Sequence, residues 1–95
     1  MTLAVIPWGN DPCFVWDEHN EEEVAKHRVS CFDVEECFEN KYKAIPHNKA
    51  RSQPKKYGDR FLISGTTHGG RKLFIVIQYL GAGFVRPITA FDINR

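Results

Sequence analysis

Of the 95 residues, none form the run of roughly 18 apolar side chains that a membrane-spanning helix requires. The longest apolar block, Leu73–Ile77, has only the length of a strand. Residues 1–6 are too short, and lack the basic flank, for a secretory signal, so a cytoplasmic protein is expected. Cysteine is scarce and odd in number: Cys13, Cys31 and Cys37 offer neither a CxxC pair nor an even disulfide framework. Three reduced, mostly buried thiols are expected instead. His19, His27, His47 and His68 show no metal-ligand spacing, so no metal is expected. Gly65 and the Gly69-Gly70 pair make no phosphate loop, no Ser/His/Asp arrangement occurs, and no cofactor is implied. Internal repeats and low-complexity segments are missing too.

Each half of the chain also has little charge of one sign. Residues 1–40 hold 10 acidic residues and only Lys26 and Arg28 as cations. Residues 41–95 hold 11 basic residues and only Asp59 and Asp92 as anions. With apolar content of 42% and charged content of 26%, the chain has the composition of a folded domain. Residues 1–95 are read as one α+β domain, in which 1–13 form an irregular arm that lays Trp8 against the body. The charge split has two readings that composition does not separate: one positive face suited to phosphate or an acidic partner, or two halves that neutralise each other.

The elements follow from period and punctuation. Asn20 with Glu23, or Asp17 alone, caps a first helix whose last turn carries Lys26, His27 and Arg28. Ser30 with Asp33 caps a second, in which Cys31, Val34, Cys37 and Phe38 recur at helical spacing and Asn40 is the stop. The period then changes to two. Strands are expected over 42–45, 60–66, 72–79 and 84–90, with turns at His68-Gly69-Gly70 and Gly81-Ala82-Gly83. Residues 47–58 read as a long mobile loop. The run Leu73–Ile77, apolar on both faces, suits a middle strand. Pro87 puts its strand at an edge or at a bulge.

The chemistry-bearing residues are cations on these strands and the loop: Lys49, Arg51, Lys55, Lys56, Arg60, Arg71, Lys72 and Arg86. RNA cleavage needs a base for the 2′-hydroxyl, cations for the phosphorane and an acid for the leaving oxygen. The cations are present, but composition does not identify a base or an acid. Plainer roles stand beside this one. Arg86 could cover an apolar edge with its stem, His27 could serve only as a helix cap, and the basic loop could be solvated without a ligand. Phe61, Phe74, Tyr79 and Phe84 read as core.

Five segments resemble the BrnT-type toxin family in order, over about residues 14–93. They are Phe14–Glu22 with Val24–His27 and Val29-Ser30; Asp33–Phe38; Asp59–Thr67; Gly70–Val76; and Val85–Ala90. The resemblance implies a RelE-like fold with two N-terminal helices packed on one face of a four-stranded antiparallel sheet. It further implies a type II toxin–antitoxin system, metal-independent ribonuclease activity and a BrnA-like antitoxin as partner. Carried over by position, His27, Arg60, Arg71 and Arg86 are the catalytic candidates, with the arginines on phosphate. Lys49, Arg51, Lys55, Lys56 and Lys72 are the accompanying RNA-binding candidates. Arg28 stands where the family has glycine, and Phe91 where it often has arginine. The alternatives are a non-catalytic member of the family that binds RNA or protein, and an interaction module whose acidic helices are the working surface.

Overall fold

The computed structural model describes residues 6–93. In chain order the elements are β1 (Cys13–Phe14), α1 (Glu18–Lys26), α2 (Cys31–Glu39), β2 (Lys43–Pro46), α3 (Pro54–Tyr57), β3 (Arg60–Thr66), β4 (Lys72–Gly81) and β5 (Phe84–Asp92). The strands form one sheet in the order β1-β5-β4-β3-β2. Three ladders are antiparallel, and β1 joins β5 in parallel. This overturns the expected RelE-like layout: the sheet is mixed and five-stranded, and a third helix is present.

Both additions are too short to carry a period. β1 is defined by what it pairs with, through Cys13 N–H to Gly83 O at 2.9 Å and Val15 N–H to Val85 O at 2.8 Å. The expected arm is therefore ordered as a strand at its end, and its residues 1–5 lie outside the described residues. Helix α3 begins on Pro54, whose fixed φ suits a first helical position, and ends where Gly58 N–H returns to Pro54 O. The segment 47–58 is thus folded, with further turn bonds from Ala50 to His47 and from Gln53 to Lys49.

The two longer helices begin as their caps dictate. Asp17 accepts from Asn20 N–H and Ser30 accepts from Asp33 N–H, and each N3 side chain returns the bond to its cap residue. Asn20 is accordingly not the cap but the N3 residue. The helices bury Val24, Val34, Cys37 and Phe38 against Ile63, Leu73, Ile75, Ile77, Val85 and Ala90. Gly65 permits the close approach of α2, since a Cβ there would lie 2.7 Å from Cys37 Cβ. Trp8, 3% exposed, closes the core: its ring meets Phe61 edge-on at 5.0 Å and its Nε1 donates to Tyr42 Oη. Only Cys37 of the three thiols is buried, and burial pushes it up to about 11; Cys13 is exposed and Cys31 half-buried.

Helix α1 runs beside the outer edge of β5 beyond the reach of β1. The Asn20 amide, 2% exposed, donates to both Val15 O and Pro87 O at 2.9 Å. Its Oδ1 accepts Asp17 N–H at 2.7 Å, so every polar position of this buried side chain is occupied. Pro87 sits at a register shift opposite Val76/Ile77 and past the end of the β1 ladder, so β5 is both bulged and, uncovered by β1, an edge there, as expected. Between the helices, Arg28 adopts φ 60°, so the left-handed turn forms without a glycine.

Two substitutions test this geometry. Asn20→Ala orphans the Pro87 carbonyl and removes the cap return, and is expected to cost about 2–4 kcal/mol in urea denaturation. Arg28→Gly relieves the left-handed strain and should raise stability by about 0.5–1 kcal/mol, net of the greater freedom of the unfolded glycine.

Candidate functional site

Helix α2 packs on one face of the sheet and α1 runs along β5, which leaves much of the other face uncovered. Opposed residues on neighbouring strands share a face, so the register reads out rows across the open side. One row is Arg60–Gln78–Arg86, the next Ile45–Leu62–Val76–Thr89, and the third Lys43–Ser64–Phe74–Phe91. A fourth holds Thr66 and Lys72. Leu62, Phe74, Val76 and Phe91 are half-buried and Ile45 is exposed, which leaves an apolar band between cations.

Three of these rows end on α1. Asp17 Oδ2 accepts from Arg86 Nε at 3.2 Å and Nη2 at 2.8 Å. Glu23 Oε2 accepts the Thr89 hydroxyl at 2.9 Å. The His27 ring rests on Phe91, with centroids 5.7 Å apart, and Phe91 rests on Phe74 at 5.4 Å. His27 Nε2 lies 3.3 Å from Glu23 Oε2, which makes a half-exposed imidazole–carboxylate pair suited to proton transfer.

The four catalytic candidates therefore do not converge. Arg71 is committed to structure. Its Nε and Nη2 fork onto Asp92 at 2.6 and 3.1 Å, and its Nη1 and Nη2 donate to Arg28 O and His27 O at 2.6 and 3.2 Å. Asp33 adds an ion pair at 3.6 Å. The two carbonyls are ends that α1 leaves open, so Arg71 clamps the α1–α2 turn to β4 and β5. Asp92 makes this guanidinium hold its proton more firmly than usual. Arg86 faces Asp17 rather than covering an apolar edge. Lys72 is exposed at the start of β4, in the row beyond Phe74.

Arg60 belongs to a different constellation. Its guanidinium carbon lies 5.3 Å from the Tyr57 ring centroid, with Lys56 Nζ at 5.3 Å and Lys49 Nζ at 5.6 Å from the same ring. His47 stacks on that ring at 4.4 Å and 21°. Its own N–H bonds to Arg60 O, which ties the folded 47–58 segment to β3. Among the described residues no ion pair involves Lys49, Arg51, Lys55, Lys56 or Arg60. The neighbouring Asp59 is occupied by the Gln78 amide at 2.9 Å. Arg60 Nε is buried without a hydrogen-bond partner. Arg51 and Lys55 are exposed on the same segment.

Sequence reasoning missed Tyr57, His47, Gln78, Glu23 and Asp17 as parts of these sites. Tyr57 had a signal: it stands between Lys56 and Arg60 in an otherwise polar stretch, where no core position calls for an aromatic. Of the aromatics expected in the core, Phe61 and Tyr79 pack against it, Phe74 lies on the open face and Phe84 is 46% exposed.

The α1 contacts carry a pH signature. The Asn20 N–H and then Arg86 hold the Asp17 carboxyl below its usual range. The Thr89 hydroxyl, then the His27 hydrogen bond and the Lys26 charge, do the same for Glu23. Folded values below unfolded ones mean stabilisation that is complete above the ordinary carboxylate range of about 4 and lost as pH falls through the folded values. Melting temperatures from pH 7 to pH 3 should fall below about pH 4, and Asp17→Asn should start lower but fall less steeply.

No helix among the described residues is long and apolar enough to cross a membrane. Comparison with protein-family models, characterised proteins and solved structures finds no match, so geometry and the motif resemblance alone bear on function.

Proposed function

We propose that this chain is the toxin-type member of a BrnT-like toxin–antitoxin pair, and that it acts on RNA at the Tyr57 cation cluster and the adjoining open sheet face. One observation carries the proposal: Lys49, Lys56 and Arg60 crowd around one ring with no ion pair to a carboxylate among the described residues. Like charges repel, so such a cluster suits an anion in its neighbourhood. The open face continues from Arg60 with Leu62, Val76, Phe74 and Phe91, apolar ground on which bases can rest. At its far end the His27–Glu23 pair supplies the proton-transfer group that metal-independent cleavage needs. A BrnA-like antitoxin covering this face would deny it to RNA.

A second reading, RNA or protein binding without cleavage, has its own support. Arg71 and Arg86, two cations the family pattern assigns to phosphate, are engaged by Asp92 and Asp17, and Phe91 replaces a third.

Short single-stranded RNAs separate the readings. Binding to the full chain should weaken with salt at about 0.7 logarithmic units per phosphate contact, and Lys56→Gln should flatten that slope by about one contact. Loss of cleavage with retained binding in His27→Ala supports the toxin reading. Intact RNA after prolonged incubation with the unaltered protein leaves only the binding one, and no binding at low salt removes both.

A further inference from the structure

The Tyr57 cluster is a focus rather than a track, and its groups share one chemical character. Lys49 and Lys56 present ammonium donors and Arg60 a guanidinium, none of which can accept a hydrogen bond. His47 joins them in kind. Its Nδ1 accepts Lys49 N–H at 3.0 Å, which places the imidazole proton on Nε2 and makes the remaining ring nitrogen a donor. Asp59, the adjacent acceptor in the sequence, is turned to Gln78. Apart from the Tyr57 hydroxyl, which can accept as well as donate, the groups gathered at the ring are therefore donors.

Such donors can read the O6 and N7 acceptors of a guanine edge, but that edge carries no net charge to answer three cations. The fuller match is an oxygen-rich anion. An internal phosphodiester offers two free oxygens and a single charge. A phosphomonoester offers three oxygens and about −1.5 to −2 charges near neutral pH. Three cations and an imidazole donor beside one ring meet the second more fully.

We infer that the cluster formed by His47, Lys49, Lys56 and Arg60 around Tyr57 is a receptor for a terminal phosphate, a phosphomonoester at the end of an RNA strand. The inference rests on the RNA reading above and assigns the end of the strand to this site. The strand then runs from Arg60 along the open face, past Leu62 and Val76, toward the row that ends on His27.

The test uses the full chain and fluorescence anisotropy at fixed salt, with one short single-stranded RNA carrying a 5′-phosphate, a 3′-phosphate or neither. One phosphorylated form should bind at least tenfold tighter than the unphosphorylated strand, and which one identifies the end that is held. Inorganic phosphate at millimolar concentration should erase the difference. Arg60→Gln and Lys56→Gln should each reduce the preference to less than threefold, beyond whatever each removes from binding of both strands alike. Circular dichroism checks that both variants fold. Equal affinity for all three strands overturns the inference while leaving RNA binding intact. A parallel arm compares a nucleoside 5′-monophosphate with its nucleoside. Arg60-dependent binding of the monophosphate with no gain from a longer strand would uphold the phosphate receptor while removing RNA as its ligand. No binding of any phosphorylated probe overturns the inference.

Discussion

The attachment of α1 to the outer edge of β5 is the constraint on which the rest of the architecture depends. A strand edge exposes alternate carbonyl and amide groups that must find partners. β1 supplies them only as far as Val85, after which Asn20 takes over at Pro87 with a side-chain amide. Because Asn20 is also the N3 residue of the capping pair with Asp17, the start of the helix and its contact with the sheet are set by one buried side chain. Once that point is fixed, the rise of the helix and the rise of the strand keep step over the following turns. Asp17, Glu23 and His27 then meet Arg86, Thr89 and Phe91 in order.

The far end of α1 needs a second fastening, and Arg71 provides it. A left-handed residue after the helix turns the chain into α2 and leaves the carbonyls of His27 and Arg28 unbonded within the helix. A guanidinium can serve both carbonyls and a carboxylate at once, which an ammonium cannot do with the same planar fork. Glycine is dispensable for the shape of this turn because the clamp holds it, although the strain of a side-chain-bearing residue at φ 60° persists. His27 is thus positioned from two sides, by Arg71 through its own carbonyl and by Glu23 and Phe91 through its ring.

Much of the scaffold was legible because local rules and tertiary packing agreed. Ser30 and Asp33 mark the start of α2, and the two-residue period with glycine turns marks β3, β4 and β5 within a few residues of their observed ends. For α1 the capping signal was ambiguous between Asp17 and Asn20, since both residues cap well; burial against Pro87 O decides it, and that contact is 67 residues distant in sequence. β1 and α3 were illegible for a different reason. Two residues cannot show alternation, and four cannot show a helical stripe, so only the partner strand and the Pro54–Gly58 bond reveal them. The site followed the same division. Residue types named the cations, but whether an arginine is free or engaged depends on long-range contacts that types do not encode.

That difference resolves the charge asymmetry between the halves. Part of it is internal pairing: Asp17 takes Arg86, Asp33 takes Arg71, and Asp92 from the basic half joins Arg71 as well. These pairs lie where helices meet the sheet, which is why they involve strand residues and helix caps. The cations of the 47–58 segment have no such opportunity, because that segment leaves the sheet on the side of β2 and β3, at the opposite edge from α1. Their excess charge remains after the fold has neutralised what it can reach. Two arginines with the same formal charge therefore have opposite roles: Arg86 is spent on the helix beside it, while Arg60 lies against the Tyr57 ring with no ion pair among the described residues. Among the described residues, unpaired cations gather most densely at the Tyr57 end of the sheet, with Lys43 and Lys72 exposed on rows farther along the open face.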